Sequence, residues 1–340
     1  MTTYTLPRAF VFRRVHSLMG LWLVLFLLEH LLTNSQAALL LGENGGGFVR
    51  MVNWIHDLPY LGVIEVFLIG TPILLHGVLG IKYLFTSKSN AHSTDGSSPQ
   101  LKEYGRNKAY SWQRITSWIL LIGIILHVAK FRFMEYPVSV NTGTESYFFV
   151  RVNMDNGLYT VASRLNVDLY DKERIEKEKM LLSSRGDEKA LQEVAESLRT
   201  EEKTDALQGV IPEPFSLQKQ MLLNSAQTYE LKVKWVDALE KRKINDTEVI
   251  AVSKSFGTAT LLSVRDTFKS PLYVGLYTIF VLAACFHAFN GFWTFMISWG
   301  LIFKRAAQKS MATFCVALMI AIACLGLIAI WGTYWLNLKY

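Results

Sequence analysis

Five long stretches of the chain are apolar almost without interruption: about Ser17 to Leu41, Leu58 to Phe85, Trp112 to Phe133, Pro271 to Phe303 and Met311 to Leu338. Crossing the hydrocarbon of a bilayer takes roughly 20 mostly apolar residues as helix, so each stretch predicts a transmembrane helix. Between the third and fourth the pattern breaks. Alternating runs near Tyr147 to Asn153 and Leu158 to Leu169 predict strands. Helix formers with opposite charges three or four residues apart fill Asp171 to Lys203 and Ser216 to Lys243, and Thr247 to Val264 returns to strand-like residues. The pattern predicts an all-α membrane protein, a five-transmembrane-helix bundle with an extramembrane α+β domain inserted between helices 3 and 4. The parts are residues 1–134, 135–269 and 270–340.

Composition agrees with two unlike parts. Of 340 residues, 51% are hydrophobic, too apolar for most soluble enzymes and too polar for a chain wholly within lipid. The net charge of +7 is uneven, because residues 136–268 hold 18 Lys and Arg against 21 Asp and Glu, leaving +10 for the remainder. Such a surplus beside apolar spans reads as membrane orientation and gives no reason to expect a nucleic-acid partner. Twelve of the Lys and Arg in the short flanks fall on one side and five on the other. The positive-inside rule then puts the N-terminus and the loop from Lys82 to Arg114 in the cytoplasm, and the insert and C-terminus outside. The first apolar stretch is too long for a cleavable signal and lacks a small-residue cleavage site, so it is expected to stay as a span.

Cys285, Cys315 and Cys324 lie in apolar stretches without a CxxC pair, which fits small core residues. Without CxxCH, any haem is held non-covalently.

Seven histidines are present, and His30, His76, His127 and His287 fall deep in the first four spans, one in each. Ionisable side chains at that depth are costly and point to function. His30 and His127 lie about 15 residues into helices running outward, and His76 and His287 about 16 residues into helices running inward. The four therefore sort into an outer pair and an inner pair, their levels about 10 to 15 Å apart at the helical rise. Paired imidazoles from facing helices suit six-coordinate, electron-transferring haems b, two of them here, with iron closed to small ligands. Gly80, Gly123 and Gly291 stand one turn from His76, His127 and His287 on the same faces, where a flat macrocycle needs room; His30 has no such glycine.

The remaining histidines fit other roles. His56 and His92 are read as loop residues. His16 lies 14 residues before His30, about 21 Å away along the helix, so the two cannot share an iron. With Arg13, Arg14, Ser17 and Arg114, His16 could hold haem propionates at the inner level. Two acidic residues lie within spans. Glu65 shares the face of His76 but lies about 16 Å further out, near the outer level, where a carboxylate could take protons from a quinol. Glu29 points about 100° away from His30 and is expected to need a partner on another helix.

Several runs together carry a resemblance: Arg13-Arg-Val-His-Ser17, His30-Leu-Leu-Thr-Asn34, Glu65 to His76 with Gly80, Gln113-Arg114, His127, and Phe286-His-Ala-Phe-Asn-Gly-Phe-Trp293. They resemble the cytochrome b558 membrane anchor of bacterial succinate dehydrogenase and fumarate reductase, the single-polypeptide, di-haem type. The resemblance covers the five spans, about 205 residues, and not the insert, which replaces the short loop usual in that family. It implies that His76 and His287 hold a proximal haem near a cytoplasmic iron-sulfur subunit, and that His30 and His127 hold a distal one. It further implies a flavoprotein partner bearing FAD, a menaquinone or other quinone as substrate near the distal haem, and a place in the bacterial inner membrane among its lipids. Some relatives carry a glutamate two residues before the fourth-helix ligand as part of a proton path. Cys285 stands there in this chain.

Two other readings share some of these features. A cytochrome b subunit of a membrane hydrogenase, formate dehydrogenase or nitrate reductase also holds bis-His haems in a helix bundle, with ligands at other helix positions. A non-haem transporter with histidines along a proton path predicts no haem.

Overall fold

A computed structural model describes residues 6–38, 43–86, 103, 105–142, 144–184, 193–197, 200 and 217–339. His92 and most of the loop after Thr86 lie outside the described residues, as does much of the helical text between 185 and 216. The chain divides into two compact units, Met1–Tyr136 with Val264–Tyr340, and Pro137–Ser263.

The first unit holds five helices long and apolar enough to cross a membrane: α1 (Arg8–Ser35), α3 (Leu61–Thr86), α4 (Gly105–Met134), α9 (Pro271–Ser298) and α10 (Arg305–Leu338). Their apolar windows are little buried within the unit, so most of that surface faces outward, as lipid contact requires. α1 packs against α3, α9 and α10, and α9 also packs against α4. A short helix, α2 (Gly46–His56), precedes α3 and carries His56 at its last position, which corrects the loop expected there. Its amphipathic run, with Phe48 buried and Arg50 and Trp54 exposed, was masked in the sequence by the glycines on its N-terminal side.

Helix ends also depart from the apolar limits, with physical causes. α1 and α10 start at Arg8 and Arg305, before the hydrocarbon-length stretches, because backbone pairing carries a helix on through its charged flank. α9 stops at Ser298, where Gly300 takes a left-handed φ of 70° and the amides of Gly300 and Leu301 cap the carbonyls of Ile297 and Met296. α3 contains a π turn over Val66–Gly70 just before Pro72. Pro72 has no amide hydrogen for the carbonyl of Leu68, and the Trp22 indole donates to that carbonyl at 2.5 Å instead. α4 ends in a second π turn, Ala129–Met134, directly after His127.

The second unit is built on a four-stranded antiparallel sheet of β1 (Val138–Asn141), β2 (Ser146–Asn153), β3 (Asp168–Tyr170) and β4 (Glu248–Ser253), in the order β1-β2-β4-β3. Two expected strands divide into helix and strand. The run Leu158 to Leu169 begins as α5 (Leu158–Arg164), because the Asp155 carboxylate takes the Gly157 amide at 2.9 Å and Leu158, Val161 and Ala162 recur at helical spacing into the core. The run Thr247 to Val264 ends its strand at Ser253 and continues as α8 (Phe256–Thr267), opened by the Ser255 hydroxyl accepting from the Thr258 amide at 3.1 Å. Alternation along the central strands buries both faces. Phe148, Val150, Val152, Val249 and Ala251 pack with α5 and α8. Phe149, Ile250 and Val252 pack on the other side with α6 (Lys172–Ser183) and α7 (Leu217–Glu240). Lys179 bridges these two helices through Glu176 and Glu240, at 3.1 and 2.8 Å.

Phe149 is 1% exposed and stacks edge-on against Trp235. Phe149→Ala is predicted to cost the insert about 3–5 kcal/mol, read in the full chain as faster hydrogen exchange of β2 and β4 with α1 and α9 unchanged. Equal exchange in both proteins would contradict the packing described.

Candidate functional site

The four span histidines come together in two pairs, each joining facing helices. The His30 and His127 rings lie 5.9 Å apart between centroids, and those of His76 and His287 lie 6.2 Å apart. The ring planes cross at 89° and 79°. An ion gripped by two imidazole nitrogens at about 2 Å each, with each centroid about 1 Å behind its nitrogen, separates the centroids by roughly 6 Å. Both pairs have that spacing.

Three helices measure the distance between the two levels. On α1, Gly20 touches His76, ten residues before His30. On α4, Thr116 contacts His287, eleven residues before His127. On α9, Tyr277 contacts His127, ten residues before His287. At the helical rise the intervals are about 15 to 17 Å, at or just beyond the upper edge of the separation expected from helix direction.

A ligating imidazole must keep one nitrogen bare, which is arranged by giving the other a proton acceptor. The Nδ1 of His76 faces the backbone carbonyl of His16 at 2.9 Å, and because a carbonyl only accepts, His76 donates from Nδ1 and leaves Nε2 open. The Thr116 hydroxyl spends its proton on the carbonyls of Trp112 and Gln113 and offers a lone pair to Nδ1 of His287 at 3.3 Å. Gln113 ties the backbone of His287 across the helix pair, donating to its carbonyl at 3.0 Å and accepting from Asn290 at 2.7 Å. Nδ1 of His127 meets the Tyr277 hydroxyl at 3.1 Å. His30 is held differently: the Asn34 amide donates to its carbonyl at 2.7 Å and only grazes Nδ1 at 3.5 Å. Thr116, Tyr277 and Gly20 were not singled out from sequence. The signal for the first was one turn of helix, Thr116 lying three residues from Gln113.

The glycines divide in their surroundings. A Cβ at Gly20 would stand 2.9 Å from His76 Cε1, and one at Gly123 would stand 2.4 Å from the Phe280 ring. Gly80 and Gly291 would meet only ordinary contacts, with His16 at 3.5 Å and Gln113 at 3.7 Å. The close helix approach at the inner pair is thus made by Gly20, and the room beside Gly123 is filled by Phe280.

The five expected anion partners also part company. Arg14 donates to the Ser298 carbonyl and lies over Phe10 and Trp299, while Ser17 accepts from the Trp299 indole at 3.3 Å. Arg13 is exposed. Arg114 gives one nitrogen to the Leu84 carbonyl at 3.2 Å, and its Nη1 is buried with no hydrogen-bond partner among the described residues. The same holds for Nδ1 of His16 and for the hydroxyl of Ser111, one turn before Arg114. Glu65 pairs with Arg132 at 2.7 Å, five residues past His127 and itself over Tyr136, a cation that sequence reasoning passed over. Glu29 finds its partner one turn along its own helix, accepting from the Thr33 hydroxyl at 2.8 Å, so the cross-helix partner expected for it is corrected. Cys285 is buried on α9 as a free thiol.

Compared with curated proteins, the chain is 32% identical over 148 residues to the succinate dehydrogenase cytochrome b558 subunit of Bacillus subtilis (strain 168). This chain is similar to a cytochrome b558 subunit. The match takes in 43% of this chain and 65% of the relative, so the chain spans a little under two thirds of the protein it matches. No family model matches, and no solved structure does. With five hydrocarbon-length helices, the similarity makes this a multi-pass membrane protein.

Gly123→Ala is predicted to lower the unfolding midpoint in detergent, since overpacking against Phe280 costs about 1–3 kcal/mol. Gly275, whose Cβ would meet nothing within 4 Å, serves as control, and Gly275→Ala should leave the midpoint unchanged or raise it. Equal effects of the two would contradict the close approach at Gly123.

Proposed function

We propose that the chain is the membrane-anchor cytochrome b subunit of a succinate:quinone oxidoreductase, carrying electrons between a cytoplasmic iron-sulfur subunit and a membrane quinone through two bis-His haems b. The observation that carries this reading is the pairing of His76 with His287 and of His30 with His127 at about 6 Å, at two levels of one helix bundle. The similarity to a succinate dehydrogenase cytochrome b558 subunit supplies the reaction class. The succinate site belongs to the FAD-bearing flavoprotein partner, and this chain contributes anchoring, ligand orientation and the quinone site.

In this reading His76 and His287 hold the inner, proximal haem, and His30 and His127 the outer, distal one. Each haem, when bound, supplies a one-electron couple on an iron closed to small ligands. The chain's own residues do the rest. The His16 carbonyl, Thr116 and Tyr277 each hold Nδ1 of one imidazole and so leave Nε2 of His76, His287 and His127 as the nitrogen that would take iron. Arg114 and Ser111, with buried polar atoms left unpaired, suit a propionate carboxylate at the inner level, and His16 presents a third such atom. At the outer level the Glu65–Arg132 pair offers a carboxylate to take quinol protons and a cation to hold it in place. The N-terminus and the loop before α4 face the cytoplasm, and the insert and C-terminus face outward, in the bacterial inner membrane.

The test is a redox titration of the isolated complex following both haems, with co-purification of the flavoprotein and iron-sulfur subunits. His76→Ala and His287→Ala are expected to remove the same haem, and His30→Ala and His127→Ala the other. If His30→Ala and His76→Ala instead removed the same haem, the pairing would be refuted. A haem-bearing chain that co-purified with a hydrogenase or formate dehydrogenase would refute the reaction class and leave the pairing intact.

A further inference from the structure

The side chain of His16 has a place that the haem pairing does not use. Its ring lies flat on the His76 ring, with centroids 4.0 Å apart and planes within 14°. Tyr83 of α3 meets the His16 ring edge-on at 5.4 Å and 86°. A Cβ at Gly80, one turn along α3 from His76, would stand 3.5 Å from the His16 ring, and one at Gly20, one turn along α1 from His16, would stand 2.9 Å from the His76 ring. The two helices thus exchange imidazoles, each ring lying over the other helix's glycine.

We propose that His16 is a positioning residue for His76: its ring, wedged between the His76 ring and Tyr83, fixes the plane of the inner axial ligand. The proposal rests on the reading of His76 as that ligand. Two restraints come from one residue and act on different coordinates. The His16 carbonyl accepts the Nδ1 proton and sets which nitrogen is bare. The His16 ring sets rotation about the bond joining the imidazole to its methylene, because turning the His76 ring out of plane drives it into a ring already in contact. His287 crosses His76 at 79°. That crossing angle lasts only while His76 is held, since a carbonyl on Nδ1 tolerates swings that a flat ring does not.

Substitution separates the two restraints, because any residue at position 16 keeps the carbonyl. The angle between two axial imidazole planes governs the g-values of a low-spin ferric haem, so electron paramagnetic resonance of the isolated complex reads the restraint directly. Planes as near to perpendicular as 79° and 89° predict strongly axial signals from both haems. His16→Ala is expected to keep both haems, to move the inner signal by more than its linewidth and broaden it, and to leave the outer signal in place. His16→Phe, which retains a flat ring, is expected to keep the inner signal at its wild-type position. An unmoved inner signal in His16→Ala with both haems present overturns the proposal. So does an inner signal displaced equally in His16→Phe and His16→Ala, or an inner haem lost from both, since each would assign the effect to the His16 nitrogen. If His16→Ala alone loses the inner haem, the ring contact is upheld as the restraint. A wild-type complex without haem refutes the ligand reading of the previous section and is recognised before either variant is made.

Discussion

Everything at the candidate site depends on holding imidazoles neutral and correctly turned in a medium with no water to hydrate them. A buried polar nitrogen without a partner costs a few kcal/mol, and a charged side chain at bilayer depth costs more. Each span histidine therefore needs an acceptor for the ring proton and an electron-poor partner for the other nitrogen. The His16 carbonyl meets the first need of His76, the Thr116 hydroxyl offers a lone pair to His287, and the Tyr277 hydroxyl contacts Nδ1 of His127. The rings themselves meet in pairs, with centroids 5.9 and 6.2 Å apart, a separation that leaves room for an ion between two imidazoles.

The bundle supplies these positions through irregularities that its own polar groups repair. Pro72 opens a carbonyl in α3, the Trp22 indole closes it, and the π turn beside it shifts the phase of the helix between Glu65 and His76. A second π turn after His127 brings Arg132 around to Glu65. Gln113, donating to the His287 carbonyl and accepting from Asn290, locks α4 to α9 at the height of the inner pair. Each of these contacts joins two helices, and Gln113 does so at the backbone of a span histidine.

Much of this was legible in sequence, and the failures have definite causes. Span number and histidine pairing follow from apolar length and helix direction, which depend on composition and a constant rise. The insert was harder. Leu158 to Leu169 and Thr247 to Val264 read as strands because Val, Leu, Ala and Thr serve both structures; the Asp155 and Ser255 caps decide for helix, and their effect depends on three-dimensional geometry. At the site, sequence marked Gly123 as room for a cofactor, whereas Phe280 fills that space. It passed over Gly20 because that glycine serves a ring from another helix, a relation absent from spacing along one chain. Arg132 was hidden likewise, its partner Glu65 standing 67 positions away.

The central claim is that one chain holds two haems b between two histidine pairs. The most direct measurement is a reduced-minus-oxidised spectrum of the purified chain with pyridine haemochrome quantification against protein. The account predicts a b-type alpha band and two non-covalent haems per chain. A chain that is folded in detergent yet carries no haem, or a single haem abolished equally by His30→Ala and His76→Ala, would contradict it.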